Sequence, residues 1–334
     1  MQKEFFSLKK YNSFGLDVRA RYFFEFSNLQ ELQDFCLHTH IQHPVFILGG
    51  GSNVLFTKDF EGTIIHPNNK GITIVEENET EVYVSVAAGE VWDDFVAWSV
   101  NHGYYGIENL SIIPGSVGAS AIQNIGAYGV EAKDVIHAVQ SIDIQTGIIR
   151  EFSNADCKFG YRTSVFKILQ PHVLCVYNVT FVLSKIPRFT LSYGALTREF
   201  ENTSKITLES VRNAVIRIRD EKLPDYTKIG NAGSFFKNPI ISLEQFEQLQ
   251  SSFPNMVYYP VDAATVKIAA GWLIENLGCK QFQQGDARVY EKQALVIVNQ
   301  GMARAHDILA LAQQIQNHVY AATGIMLEPE VIYV

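Results

Sequence analysis

At 334 residues the chain exceeds one typical domain, so two or three domains around a shared cleft are expected. Its formal net charge of −8 argues against a general nucleic-acid binder, which would carry a basic footprint. No apolar run approaches the roughly 20 residues that span a bilayer. The opening MQKEFFSLKKYNSFG also lacks the apolar core and cleavage site of a secretion signal, so a cytoplasmic protein with no membrane partner is expected.

Residues 1–27 alternate polar and aromatic side chains, the pattern of short strands. Ser27 with Gln30 suggests a capping box ahead of a helix that places Leu29, Leu32, Phe35 and Cys36 on one face and stops before Pro44. His38, His40 and His43 do not stack on a helix face, and no carboxylate or cysteine joins them, so a surface helix end is predicted instead of a metal site. Cys36, Cys157, Cys175 and Cys279 are far apart and form no C-x-x-C pair; they read as reduced, buried thiols.

Val45–Leu48 reads as a buried strand running into Gly49-Gly50-Gly51-Ser52-Asn53. Val54-Leu55-Phe56 follows where a dinucleotide fingerprint would place an amphipathic helix, and no phosphate-binding G-x-x-x-x-G-K-[ST] occurs anywhere. Strand, glycine loop and short strand suit peptide N–H groups that grip a diphosphate. Residues 72–76 and 81–87 predict a hairpin about Asn78, and Gly89 to Gly103 a helix whose Trp92, Phe95, Val96 and Ser99 face the core.

Pro114 to Gly129, PGSVGASAIQNIGAYG, is a second glycine-rich segment, without one charged side chain in a chain that is 19% charged. Such a stretch is either a tightly packed buried turn or a place where backbone holds an anionic ligand, with Gln123 and Asn124 able to read a heterocycle edge. The earlier glycine loop of the same kind favours the ligand.

Residues 137–152 predict a hairpin through Gln145-Thr146-Gly147, and 172–183 an alternating strand. Between them stands Arg162, in Phe159-Gly160-Tyr161-Arg162-Thr163-Ser164, either a surface contact or a planar fork held in a cleft for a carboxylate. A Tyr193-Gly194 loop then leads to a helix from about Thr207, with a domain boundary near residue 200.

From Val211 to Asn238 the basic residues Arg212, Arg217, Arg219, Lys222, Lys228 and Lys237 outnumber the acidic Asp220, Glu221 and Asp225. The run ends in Ile229 to Pro239, where Gly230, Ala232 and Gly233 strip bulk from around Ser234. Phe235 and Phe236 are the nearby bulk that would dry a site around that hydroxyl, while a turn serine is the plainer alternative. No G-x-S-x-G elbow or partnered histidine supports a serine hydrolase. Three helices and one strand are expected to complete the chain: Ser242–Ser252, Val266–Leu277 capped by Gly278, strand Ala294–Asn299, and Arg304–Thr323 capped by Gly324. The tail carries Glu328 and Glu330 about Pro329, and the apolar Val331 to Val334 predicts an end tied into a core.

GGGSNVLF at 49–56, PGSVGASAIQNIGAYG at 114–129, GYRTSVFK at 160–167, GNAGSFFKNP at 230–239 and LEPEV at 327–331 together resemble the bacterial UDP-N-acetylenolpyruvoylglucosamine reductases, in the family's order. Tyr193, in LSYGALTREF, resembles the tyrosine loop of the longer of the family's two classes. The resemblance implies an α+β fold: an FAD-binding module of the vanillyl-alcohol-oxidase (PCMH) type plus a smaller α+β substrate domain. The corresponding division is 1–200 for the FAD module (subdomains about 1–67 and 68–200), 201–323 for the substrate domain, and 324–334 as a C-terminal strand returning to the FAD module.

It further implies the cofactors FAD and NADPH, no metal, a monomer, and a UDP-sugar enolpyruvyl ether as substrate in peptidoglycan precursor synthesis. Flavin would take hydride from NADPH and pass it from N5 to the enolpyruvyl methylene, with Ser234 giving the proton and Arg162 and Glu330 stabilising the enol. FAD would be held by Gly49, Gly50, Gly51, Ser52, Asn53, Pro114, Gly115, Ser116, Gly118, Ala119, Ile122, Asn124, Gly126, Ala127 and Tyr128. Tyr161, Tyr193, Lys222, Lys237, Asn238 and Gln293 would hold substrate. Two other readings are a flavin oxidase of the same fold, often tethered through a histidine that Gly49–Asn53 lacks, and a non-enzymatic nucleotide-sugar binder.

Overall fold

The computed structural model describes residues 2–168, 173–203 and 205–334. Its backbone groups into two compact units, the first made of Met1–Ser7, Arg19–Gly51 and Phe60–Arg219, the second of Leu8–Val18, Ser52–Asp59 and Asp220–Val334.

One sheet of the first unit has the order Lys3–Ser7, Arg19–Phe26, Phe60–Pro67, Val45–Ile47, with the first pair antiparallel and the others parallel. The helix Leu29–His38 buries Leu32, Phe35 and Cys36 in a core with Phe24, Phe26, Val45 and Ile65. Its cap lies one residue later than predicted: Asn28 Oδ1 accepts the Glu31 N–H at 2.9 Å, and Glu31 reaches back to the Ser27 N–H at 2.8 Å. The expected Ser27–Gln30 box is therefore not formed; Glu31 instead accepts from the Ser27 N–H and from Asn28 Nδ2, at 2.8 and 3.0 Å.

The other large sheet is antiparallel, in the order Ile149–Ser153, Ile136–Asp143, Leu174–Ser184, Glu81–Ala87, Ile72–Glu77. Both predicted hairpins are present, closed by side chains that mimic a backbone turn. Asn78 Oδ1 accepts the N–H groups of Thr80 and Glu81, and Asp143 Oδ1 those of Gln145 and Thr146. His172, at the start of the predicted third strand, lies outside the described residues. The helix Trp92–Asn101 lays Trp92 and Phe95 against Phe181, with ring centroids 6.0 and 4.8 Å apart, so these aromatics are core as expected. Short helices at Val165–Ile168 and Ala195–Phe200 precede the long helix Leu208–Lys222.

The second unit holds more sheet than the single predicted strand. Gly230–Ser234, Gln293–Asn299, Ala287–Tyr290 and Gln283–Gln284 form one antiparallel sheet, and Ile240–Ser242, Thr265–Ile268 and Tyr258–Pro260 another. The helix predicted over Val266–Leu277 is therefore corrected. Thr265–Ile268 is a strand that buries Val266 and Ile268 alternately, and the helix spans only Ala270–Asn276. β-branched residues at every second position fit a pleated face better than a helix turn. The helices Leu243–Gln250 and Ala305–Thr323 match expectation, the latter ending at Gly324 with φ +67°.

The units differ from a contiguous division at residue 200. Phe14 and Leu16 belong to the second unit's core, the Asn231 N–H donates to the Ser13 carbonyl at 3.1 Å, and Val54–Leu55 pairs in parallel with Ile332–Tyr333. Two N-terminal segments are thus woven into C-terminal backbone. Leu327 and Val331 are buried, so the tail is tied into a core. Leu327→Ala is expected to lower the unfolding free energy in urea by about 2–5 kcal/mol, the cost of a truncated core leucine. A loss well under 1 kcal/mol would mean that the tail contributes no packing.

Candidate active site

In the first unit the two glycine-rich segments meet backbone to backbone. A Cβ on Gly50 would lie 2.9 Å from Gly115 Cα, and one on Gly49 would lie 2.7 Å from Ser116 Oγ and 3.3 Å from Ala119 Cβ. Those separations leave no room for a side chain, which is the physical reason for glycine at both positions. The second segment is not all loop: Val117–Gln123 is a short helix, and Gly118 lets it sit on Ala88, where an added Cβ would be 2.8 Å from the alanine methyl. Ala119, Ala121 and Gln123 favour that helix, a signal outweighed in the sequence by the glycines. The segment is laced to its neighbour by Trp92 N–H to Gly115 O, Val117 N–H to Glu90 O and Gly118 N–H to Ala88 O, at 3.0, 2.9 and 2.9 Å.

Asn124 ends the helix at φ +46°. Its side chain is committed within the protein, donating to Gly160 O at 2.9 Å and Glu131 Oε2 at 3.1 Å and accepting the Lys133 N–H at 3.0 Å. The expectation that Asn124 reads a heterocycle edge is corrected to a backbone-shaping role. Ile122 O accepts the buried Ser164 hydroxyl at 2.7 Å. Arg162 has φ +56° at the tip of a turn closed by the Gly160–Thr163 bridge, and it donates to Gly126 O at 2.9 Å. Its guanidinium carbon stands 5.5 Å from the Tyr161 ring centroid. Lys167 Nζ donates to the Arg162 carbonyl and to Gln123 Oε1, both at 3.2 Å. Arg162 thus lies across Gly126, beside Ala127 and Tyr128, with the turn beneath it pinned. Tyr193, exposed, meets Tyr128 edge-on with ring centroids 6.3 Å apart.

In the second unit Ser234 and Glu330 are brought together by main-chain bonds. Glu330 N–H donates to the carbonyl of Phe235, next to Ser234, at 2.8 Å, and Lys237 N–H donates to Glu328 O at 2.9 Å. Asn53 joins them: its side chain donates to Glu330 O at 3.2 Å and its carbonyl accepts the Ile332 N–H at 3.0 Å. Ser234 ends its strand after Gly233, which turns at φ +69° and donates to Asn231 Oδ1 at 3.0 Å. Both Ser234 and Glu330 are half-buried. Phe235 and Phe236 are fully buried in the unit's core. Their bulk therefore anchors the strand end and does not line a site around Ser234, which corrects the drying role expected of them.

The predicted substrate residues divide. Asn238 Oδ1 caps the Ala270 N–H at 3.0 Å and Gln293 Oε1 accepts the Leu295 N–H at 3.3 Å, while Lys222 is exposed at a helix end. The basic run is less positive than it reads. Arg212 forms a two-pronged pair with Asp93 at 2.7 and 2.8 Å, Arg217 pairs with Glu199, Lys228 with Asp225 at 3.0 Å and Lys237 with Glu328 at 3.2 Å. Arg219 acts on the Tyr128 phenol, which burial raises above its ordinary value and the Arg219 charge and hydrogen bond lower again.

Asp93 is the residue that sequence reading missed. Besides Arg212 it accepts the N–H of Ile112 at 2.6 Å, and Ile112 holds φ +50°, unfavourable for a β-branched residue, at the root of the second glycine segment. Burial opposes ionisation of Asp93, but the bonds from Arg212 and Ile112 and the charges of Arg212 and Arg219 outweigh it and hold the carboxyl below the usual range. Its only signal in the sequence was an acidic pair, Asp93-Asp94, in a helix's first turn. No group of His, Cys, Asp and Glu among the described residues could hold a metal ion, and no described helix is long and apolar enough to cross a membrane.

Residues 20–153 match a family model described as FAD binding domain, and residues 224–334 one described as UDP-N-acetylenolpyruvoylglucosamine reductase, C-terminal domain. The UDP-N-acetylenolpyruvoylglucosamine reductase of Bacteroides fragilis is 46% identical over 98% of this chain and 99% of its own. That of Pseudomonas putida is 41% identical over 97% and 96%. The crystal structure of UDP-N-acetylenolpyruvylglucosamine reductase from Thermus caldophilus shares the fold with a TM-score of 0.70 at 23% identity, covering 100% of this chain and 98% of that one.

Because the folded-state pKa of Asp93 is depressed, its pairing contributes stability that is complete above the unfolded carboxyl value of about 4 and is lost as pH falls through the folded value. Asp93→Asn is expected to lower the unfolding free energy by about 1–3 kcal/mol at neutral pH. The gap to the wild type should close in acid; a gap constant with pH would assign the loss to packing instead of charge.

Proposed function

From the premise that this chain belongs to the UDP-N-acetylenolpyruvoylglucosamine reductase family and is an FAD-dependent oxidoreductase, we propose that it reduces UDP-N-acetylglucosamine enolpyruvate to UDP-N-acetylmuramate with NADPH as the electron source. The observation that carries this reading is the side-chain-free approach of Gly49 and Gly50 to Gly115 and Ser116. The two segments pack on each other without a gap, so a diphosphate-bearing dinucleotide such as FAD would lie on the uncharged backbone surface that they present, not between them. The chemistry FAD supplies when bound is hydride transfer, from NADPH to the methylene carbon of the enolpyruvyl ether.

The chain's own residues answer for the charge and the proton. Negative charge develops on the carbon next to the substrate carboxylate and on its oxygens. Arg162, always charged, stabilises it with a planar fork suited to a carboxylate. Its turn is fixed by Lys167, so the guanidinium is placed before substrate binds. The Ser234 hydroxyl delivers the proton to that carbon. A serine is a weak acid, so the transfer depends on a strongly basic, enolate-like partner. Glu330, held beside Ser234 by the Phe235 carbonyl, would stabilise the enol by hydrogen bonding as the protonated acid or by orienting another donor. Tyr161, Tyr193, Lys222 and Lys237 contact the UDP-sugar, whereas Asn238 and Gln293 shape the backbone around it. Gly49–Asn53 holds no histidine, which favours noncovalent flavin and a reductase over a tethered oxidase.

The purified protein should be yellow, carry about one FAD per chain released by acid, and bleach on adding NADPH; a protein that is colourless and refuses added FAD would sink the reading. Gly50→Ala, whose added Cβ would lie 2.9 Å from Gly115 Cα, forces the two backbones apart and should lose flavin at some cost in stability. Ser234→Ala should still bleach with NADPH at near-normal rate. Reoxidation by the enolpyruvyl substrate should slow by about 10²–10⁴-fold, the span for loss of a positioned general acid. Equal slowing of both half-reactions in stopped flow would make Ser234 a pocket residue and place the proton donor elsewhere.

A further inference from the structure

One buried amide ties the cofactor segment to the segment that carries Tyr193. Asn109 Nδ2 donates to the carbonyl of Tyr128 at 2.9 Å and to that of Thr190 at 2.8 Å. Its side chain is therefore shared between the end of the second glycine segment and the root of the Tyr193-Gly194 turn. The two segments also touch directly: a Cβ on Gly129 would lie 3.3 Å from Thr190 Cγ2 and 3.6 Å from Tyr193 Cβ. Tyr128 itself holds φ +50°, a backbone state that a tyrosine rarely adopts and that its surroundings must enforce.

The amide sits on a rigid mount. Glu108–Leu110 is a single 3-10 turn with every residue buried, and Asn109 is only 1% exposed. Side chains fix the turn on three sides. Glu108 Oε2 accepts the Gly106 N–H at 2.8 Å, the Ser111 hydroxyl donates to Glu108 O at 2.6 Å, and Trp92 Nε1 donates to Leu110 O at 2.8 Å. With the backbone of Asn109 fixed, its amide orientation is set by the two carbonyls it serves, so loss of order at the Tyr128 carbonyl loosens the bond to Thr190 as well. The segment that carries the exposed Tyr193 is thus hung from an amide whose orientation depends on the Tyr128 carbonyl.

We propose that Asn109 is a positioning residue that couples the two segments, so that filling of the cofactor segment orders the Tyr193 turn for the UDP-sugar. This rests on the reductase reading for the identity of the ligands, but the coupling is measurable without turnover. Asn109→Asp keeps the shape and replaces the nitrogen that makes both donations by one acceptor oxygen. Asn109→Ser, able to donate to one carbonyl at most, disturbs the fold less.

The test is backbone amide exchange over residues 188–194, together with the two half-reactions, in the FAD-loaded protein. In Asn109→Asp, exchange in this segment should quicken by about tenfold or more and the KM for the UDP-sugar should rise at least as much, because two buried carbonyls lose their donor and face an acceptor instead. Flavin reduction by NADPH should stay within about twofold of wild type, because hydride arrival needs no ordered Tyr193. Asn109→Ser should fall between. Unchanged exchange and KM in a folded variant would overturn the proposal. So would faster exchange spread evenly over the first unit with KM unchanged, since that is the mark of a merely structural residue. The wild type supplies a check free of any variant: exchange over 188–194 must slow when FAD is restored to the stripped protein, and identical exchange with and without FAD overturns the coupling. Failure of wild-type protein to bleach with NADPH would remove the reductase reading and leave the exchange result standing.

Discussion

Two stretches of backbone, at Gly49–Gly50 and Gly115–Ser116, lie so close that no Cβ fits between them, and the first unit is built to keep them there. The parallel strand Val45–Ile47 delivers the first stretch from the edge of a sheet, where it pairs with Phe60–Pro67. The second is laced to residues 88–92 on one side and held at its root by Asp93, which supports the strained Ile112. Each of these restraints is main-chain or deeply placed. A backbone site has no side chain to readjust when its geometry drifts, so the supporting bonds must supply the precision that rotamers supply elsewhere.

The second unit solves a different problem, how to make a chain terminus hold a side chain still. Ends usually fray unless tied down. Here the tail is stitched on both sides: Glu328 O and Glu330 N–H bond to residues 237 and 235, and Ile332 N–H bonds to Asn53. Glu330 therefore sits in the middle of a clamped run, not at its loose end. Leu327 and Val331 bury their side chains on either flank, which couples packing of the core to placement of the carboxylate.

Much of this was legible in local patterns. Alternation gave the hairpins at Ile72–Ala87 and Ile136–Ser153, helical spacing gave the Trp92 helix, and glycine caps gave the end of the last helix. What stayed hidden was set by partners far along the chain. Thr265–Ile268 is a strand because Ile240–Ser242 and Tyr258–Pro260 pair with it, and a short apolar run alone does not distinguish strand from helix. The motif residues were likewise readable as types, but the internal use of the Asn124 side chain, the core burial of Phe235 and Phe236 and the hub at Asn109 are facts of three-dimensional proximity.

Charge shows the same limit most clearly. Counted along the sequence, the stretch from Val211 to Asn238 looks like an anion-binding surface, yet Arg212 answers to Asp93 and Arg217 to Glu199. These pairs are unequal in kind. Arg212 and Asp93 are 14% and 27% exposed, whereas Lys237 and Glu328 are 30% and 73% exposed. Water and salt screen the second pair far more than the first. The inner pair acts as a strut at the root of the second glycine segment, while the outer pair ties Lys237 to its carboxylate with little gain in stability. A basic residue's partner, and how dry that partner is, therefore decides how much its charge contributes to the scaffold.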